Sequence, residues 1–320
     1  MKKSYGKAAI GLSSLALLFF HAVCSAECPL KSQPGDIAVE TAADCPWAEA
    51  ARAMRDQSAA GGDLQKVFET YTPGLLKQLA SDKANPAALA LWGRSVNFDE
   101  LAHGVIVSTD ILNFLAVSLD APKPDGLIMH AGLDHTYGYL FSVLQTKFGF
   151  KRARWVLPDI NEGLGLPPGL ISPAPPSGTL LANVTCLAGA IALKDDKAAA
   201  ALLKKASAGC AAPLRKFKAR GRVRITEEVS LEGGRKVALR TDLVPFKKAS
   251  GGNSRLLVYS VYDSAAGQAY LVTAFPVAEG FAKGLTAPDG FGADKPVQTR
   301  YNAYVEGFTG VLKGRRTLGR

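Results

Sequence analysis

His103, His130 and His135 are the three histidines beyond residue 26, and each has a carboxylate or another histidine close by in the chain. Glu100 precedes His103 by three positions, and Asp134 sits immediately before His135. Imidazole and carboxylate together suit two chemistries. A divalent metal such as zinc takes both ligand types and keeps an open position when it is catalytic. Glu100, His103, His130 and His135 are the candidate ligands, with Glu100 and His103 on one face if their segment is helical. No HExxH and no paired-cysteine zinc spacing supports them. The metal-free alternative makes His135 a general base oriented by Asp134, with His130 and His103 completing the site and Ser108, Ser142 or Tyr137 as nearby hydroxyls. No GxSxG elbow is present. Against both stands a plain structural role, in which the histidines satisfy hydrogen bonds in the core.

Two stretches have the composition for holding anions. Arg152, Arg154 and Trp155 would form a guanidinium clamp beside an aromatic platform, or else cover apolar surface with long stems. The run 215–224 holds six basic residues. Within it Lys216, Lys218, Arg220, Arg222 and Arg224 alternate with smaller or apolar residues, so a strand there would present a basic ladder. Such a ladder fits an anionic envelope component, either a lipid headgroup or a polysaccharide. A solvated edge strand, or a surface docked on the acidic first part of the chain, is the simpler alternative. No nucleic-acid motif accompanies the charge.

The charge itself is divided. Residues 27–203 carry 14 basic and 19 acidic side chains, a net of −5, whereas residues 204–320 carry 21 and 9, a net of +12. Parts of opposite sign attract each other, and the basic part also suits an anionic surface.

The elements that must position these residues follow from periodicity. Helical spacing marks the segments from Pro46, Asp63, Pro73 and Pro86 onward, then 110–119, 136–147, 179–193 and 195–207. A Pro/Gly-rich loop at 157–178 separates the last two from the rest, as a lid, a binding loop, a linker or an ordered surface loop. From residue 216 the period changes to two, and Ile225, Val229 and Leu231 continue the strand. Glu232-Gly233-Gly234-Arg235 and 263–268 read as hairpin turns between alternating strands, and 297–305 reads as the last strand. The expected fold class is α+β: a helical N-terminal part followed by an antiparallel β-sheet of about five strands. The expected divisions are 1–26 as a signal, 27–210 as a mainly helical domain and 211–320 as a basic antiparallel β domain.

Lys2, Lys3 and Lys7, the apolar run 8–20 and Cys24-Ser25-Ala26 read as a secretory signal cut near Ala26, which places the protein in the periplasm or outside the cell. The run is short for a membrane anchor, and His21-Ala22-Val23 lacks the residues usual before a lipidated cysteine. No other stretch is long and apolar enough to span a bilayer. Four cysteines remain, and local pairing favours Cys28–Cys45 and Cys186–Cys210. Two functions are consistent with these features. One is an exported hydrolase with a His/Asp-centred site. The other is a non-catalytic envelope protein that binds an anionic partner through 215–224.

Overall fold

The computed structural model describes residues 46–146, 149–155, 159–248, 251–287, 302–305 and 316–319. The expected signal, its cleavage site and the Cys28–Cys45 pair lie outside the described residues.

Four helices begin the described chain: α1 (Pro46–Ala59), α2 (Leu64–Tyr71), α3 (Pro73–Lys83) and α4 (Pro86–Leu89). Asp63 caps α2 by accepting from the Gln65 N–H, and Pro73 and Pro86 occupy first-turn positions where a missing N–H costs nothing. Three short strands follow, β1 (Arg94–Val96), β2 (Phe98–Asp99) and β3 (Gly104–Val105), then the buried helix α5 (Thr109–Leu119). Strand β4 (Ile128–His130) pairs with β1 and leads into α6 (Ala131–Leu133), which continues as a π-helical turn over Asp134–Gly138. The helix expected over 136–147 therefore starts earlier and ends sooner. His130 caps it from the N-terminal side, and residues 145–150 form the tight hairpin β5 (Gln145–Thr146) and β6 (Gly149–Phe150). A 3-10 turn (Lys151–Trp155) and α7 (Asp159–Gly163) come next.

The Pro/Gly-rich loop is fixed to the core. Asn161 exchanges hydrogen bonds with the Ile171 backbone, Asn183 donates to the Leu170 and Ser177 carbonyls, and Gln78 donates to the Pro173 carbonyl. Leu170 and Ile171 are buried. The loop leads to α8 (Leu180–Ala192), which is apolar on all sides because it runs through the centre, touching α3, α4 and the sheet. Helix α9 (Lys197–Ala206), capped by Asp196, folds back on it, and the Cys186–Cys210 disulfide ties the pair (Cα–Cα 6.3 Å). Helix α10 (Ala212–Arg215) closes the helical part. No helix among the described residues is long and apolar enough to cross a membrane.

The sheet is built from β7 (Val223–Ser230), β8 (Lys236–Lys247), β9 (Asn253–Asp263) and β10 (Gln268–Ala278), joined by the two expected turns. Helix α11 (Glu279–Thr286) and strands β11 (Ala303–Tyr304) and β12 (Arg316–Gly319) follow. All five strands, in the order β10-β9-β8-β7-β12, are antiparallel, so the protein is α+β. The fifth strand is β12. Of the strand expected at 297–305, residues 297–301 lie outside the described residues, and Ala303–Tyr304 pair with β1 instead. Alternation along the strands splits the core in two. Leu256 and Val258 face the helices, whereas Leu257, Tyr259 and Val261 face α11 and residues 303–305.

Candidate functional site

The candidate metal ligands are not brought together. Glu100 and His103 lie exposed in the turn between β2 and β3, where His103 adopts a left-handed φ of 50°. A turn removes the helical face that would have aligned them. His130 is half-buried and structural: its Nδ1 accepts from the Leu133 N–H (3.3 Å) and its Nε2 donates to the Leu89 carbonyl (3.1 Å). Burial pushes its pKa down to about 4. Protonating Nδ1 would also break the helix cap. His135 is buried elsewhere, and its Nδ1 bonds the Val272 carbonyl. Among the described residues no group of three or more His, Cys, Asp or Glu side chains is placed to hold a metal ion. This corrects the expectation that Glu100, His103, His130 and His135 form one ligand set.

Asp134 and His135 do form a pair. Two backbone irregularities meet at His135. One is the π-helical turn that carries it, and the other is a β-bulge in β10 that leaves Val272 as the extra residue. Both close approaches need glycine. A Cβ on Gly132 would lie 2.6 Å from the Trp92 ring, and one on Gly138 would lie 2.8 Å from Leu112. His135 Nε2 stands 3.5 Å from Asp134 Oδ2, which accepts from the Ser95 hydroxyl at 2.9 Å. Asp134 Oδ1 and His135 Nε2 are buried without a hydrogen-bond partner among the described residues. With Nδ1–H donated to Val272, Nε2 holds a lone pair toward the carboxyl group.

The basic-aromatic stretch closes over this pair. Trp155 Nε1 donates to the His135 carbonyl at 2.8 Å. Lys151 pairs with Asp99 (3.1 Å) and lies 5.2 Å from the centre of the Tyr139 ring. Arg154 stacks on Tyr139 and Phe275 (4.7 and 4.5 Å) and donates to Thr273 (3.2 Å). Arg152 donates to the Ser142 carbonyl and stacks on Phe150 at 3.8 Å. The clamp expected of Arg152, Arg154 and Trp155 is thus turned inward. Burial pushes Asp134 up to about 7 and His135 well below the usual histidine range, the latter helped by Arg154 and Lys151. The pair therefore favours a single proton, which Asp134 carries. Burial thus favours the neutral form of each group, and both are enclosed, so the pair has no open face among the described residues.

Several members escaped the sequence reading. Ser95 and Asp99 belong to the cluster with Tyr139, and their distance along the chain hid them. The nearness of 151–155 to His135 in sequence was the usable signal. A second network also went unseen. Asp82 accepts from Tyr137 and from Thr179 (2.6 Å) beside the N-terminus of α8, and burial pushes it up to about 6.

The run 215–224 divides at Gly221. It is not a strand: residues 212–215 are helical, 216–222 form a loop turned by Gly221 (φ 67°) against Pro245, and β7 begins at Val223. Arg222 and Arg224 are structural. Arg222 donates to the Ile191 carbonyl (2.6 Å) and Asp195 (3.1 Å), and Arg224 donates to the Ala192 carbonyl (3.0 Å) and both oxygens of buried Asp242 (2.8 and 3.0 Å). They satisfy the last carbonyls of α8, which breaks the alternation. Lys218 and Arg220 stay exposed and line a cleft of about 570 Å³ with Lys194 and Phe217. A neighbouring cleft of about 550 Å³ shares Lys194, Phe217 and Lys218 and adds Lys204, Lys216 and Leu214. Lys194, Lys204, Lys216, Lys218 and Arg220 have no carboxylate partner among the described residues.

Comparison with protein-family models, with characterised proteins and with solved structures finds no match to this chain.

Proposed function

We propose that this is a non-catalytic protein that binds an anionic partner through the cleft between the α8–α9 pair and the loop 214–223. One observation carries this reading: five cations without carboxylate partners among the described residues line two adjoining open clefts, and the acid of the first, Asp195, is already bonded to Arg222. The volume lies in the range of small-molecule sites, roughly 300–1,000 Å³. In this reading the chain is exported, to the periplasm or beyond, where a disulfide persists. The test is co-sedimentation of the full chain with phosphatidylglycerol and phosphatidylcholine vesicles, and retention on a sulfated polysaccharide, across a salt series. Binding to anionic probes alone, lost at high salt and in a Lys218→Glu/Arg220→Glu variant, is expected. Equal binding by that variant, or no binding at low salt, overturns the reading.

A second reading is favoured by the unpartnered, adjacent Asp134 Oδ1 and His135 Nε2 at the meeting of a π-turn and a bulge. Here the pair is the acid and base of a hydrolase, with Lys151 and Arg154 stabilising negative charge. Turnover of ester or phosphoester probes by the wild type, lost in Asp134→Asn and His135→Asn proteins that still fold, supports it. No turnover by the wild type sinks it.

A further inference from the structure

We propose that the cleft takes an anionic amphiphile, one phosphate or carboxylate head with a single alkyl chain, in preference to a bare anion or a polyanion. This rests on the cleft being a binding site, and it names the ligand class. The two halves are continuous but lined differently, with guanidinium groups in the first and aliphatic side chains in the second. They share Ala190, Lys194, Phe217 and Lys218. The first half runs along Lys218, Arg220 and Arg222, with Ala219, Gly221 and Val223 between and beside them. The second runs over Ala200, Leu203, Leu214 and the Cys186 end of the disulfide, with Lys204 and Lys216 beside them. Phe217 stands at the junction, half-buried, as is Leu203.

That arrangement matches a head and a tail. Lys194, Lys218 and Arg220 would hold the head by charge-assisted hydrogen bonds. The tail would lie on Phe217, Leu203 and Leu214, covered by the methylene stems of Lys204 and Lys216. A polyanion would use the cations alone and leave the apolar half without a role. A bare phosphate would use only the first half. Gly189 keeps the two helices close at this point, since a Cβ there would lie 2.5 Å from Leu203. The apolar half is therefore a groove built on rigid elements.

The experiment is calorimetric titration of the full chain at low ionic strength with inorganic phosphate, hexyl phosphate and dodecyl phosphate, each below its micelle concentration. A half-buried chain gains about twofold in affinity per methylene, so dodecyl phosphate is expected to bind roughly 50-fold more tightly than hexyl phosphate. Lys218→Glu/Arg220→Glu is expected to weaken every ligand at least about tenfold. Phe217→Ala is expected to shrink the chain-length effect. Because the chain-length series uses the wild type, it does not depend on any variant folding. Equal affinity for all three ligands, or dodecyl phosphate binding only as micelles, overturns the amphiphile and leaves the anion site standing. If no phosphate binds, both readings fail together.

Discussion

Lys151 and Arg154 lie over the Tyr139 ring, in a cluster that also holds Asp99, Asp134 and His135. Lys218 and Arg220 line an open cleft in which the nearby acid is already taken. In the sequence both stretches are simply basic residues among aromatics and small side chains. In the fold the first is desolvated, with Lys151 paired to Asp99 and Arg154 stacked on aromatic rings, so its charges govern protonation and stability. The second is hydrated and unmatched, so its charges cost little to keep and are free for a partner. The boundary between the two behaviours even runs through one short stretch, where Arg224 belongs with the buried group and Lys218 with the exposed one.

Arg224→Ala should give the largest effect. It removes the bidentate partner of Asp242, whose side chain is 0% exposed, leaving Arg222 at 3.7 Å, and it frees the Ala192 carbonyl at the end of α8. Truncating one member of a buried pair costs about 3–5 kcal/mol, so urea unfolding should show a loss of that order. A loss under about 1 kcal/mol would erase the distinction between Arg224 and its exposed neighbours.

The buried cluster should also set the response to pH. The folded pKa of Asp134 is raised from 3.8 to about 7, so its contribution is complete below the unfolded value and is lost as pH rises through about 7. His130 is lowered from 6.5 to about 4, so its contribution is complete above 6.5 and is lost as pH falls toward 4. The two slopes oppose each other between about 4 and 6.5. Asp134→Asn removes the first. Its stability relative to the wild type should rise across that window and beyond, by up to about 4 kcal/mol at neutral pH. Urea titrations at a series of pH values test this, and a flat difference would mean that no proton is held at Asp134.

Lys218→Ala and Arg220→Ala should give the smallest effects, within about 0.5 kcal/mol of wild-type stability by the same unfolding measurement. Either one destabilising the fold like Arg224→Ala would place the cleft among the structural charges and break the comparison.

The sheet was legible because alternation and turn chemistry are local. The Gly-Gly turn at 233–234, the period of two from 225 to 277 and the Cys186–Cys210 link were all read from the chain. The fifth strand was misplaced because β12 and residues 303–304 are distinguished only by which partner edge is free. The ladder at 216–224 failed for a related reason. Its alternation was real, but Arg222 and Arg224 answer to the last carbonyls of α8, some thirty residues away. The histidines were grouped by nearness in sequence, whereas a turn, a helix cap and a π-turn send them to separate places. Asp134 and His135 remained together because they are covalent neighbours. Ser95 and Asp99 joined them through β1 and β2, a placement that no local pattern encodes.

Leu91 and Gly93 exchange backbone hydrogen bonds with Leu271 (2.8 Å each), so the helical part finishes the outer edge of β10 where the bulge interrupts it. The division of charge in the sequence invites cutting the chain near residue 211. A fragment made that way would bare both that edge and the apolar face bearing Leu256, Val258 and Leu271. An open edge beside an uncovered apolar face is a template for strand addition between molecules. The described residues before 211, α8 and α9 included, thus act as a guard against self-association, and the basic sheet is expected to stay in solution only while it carries them.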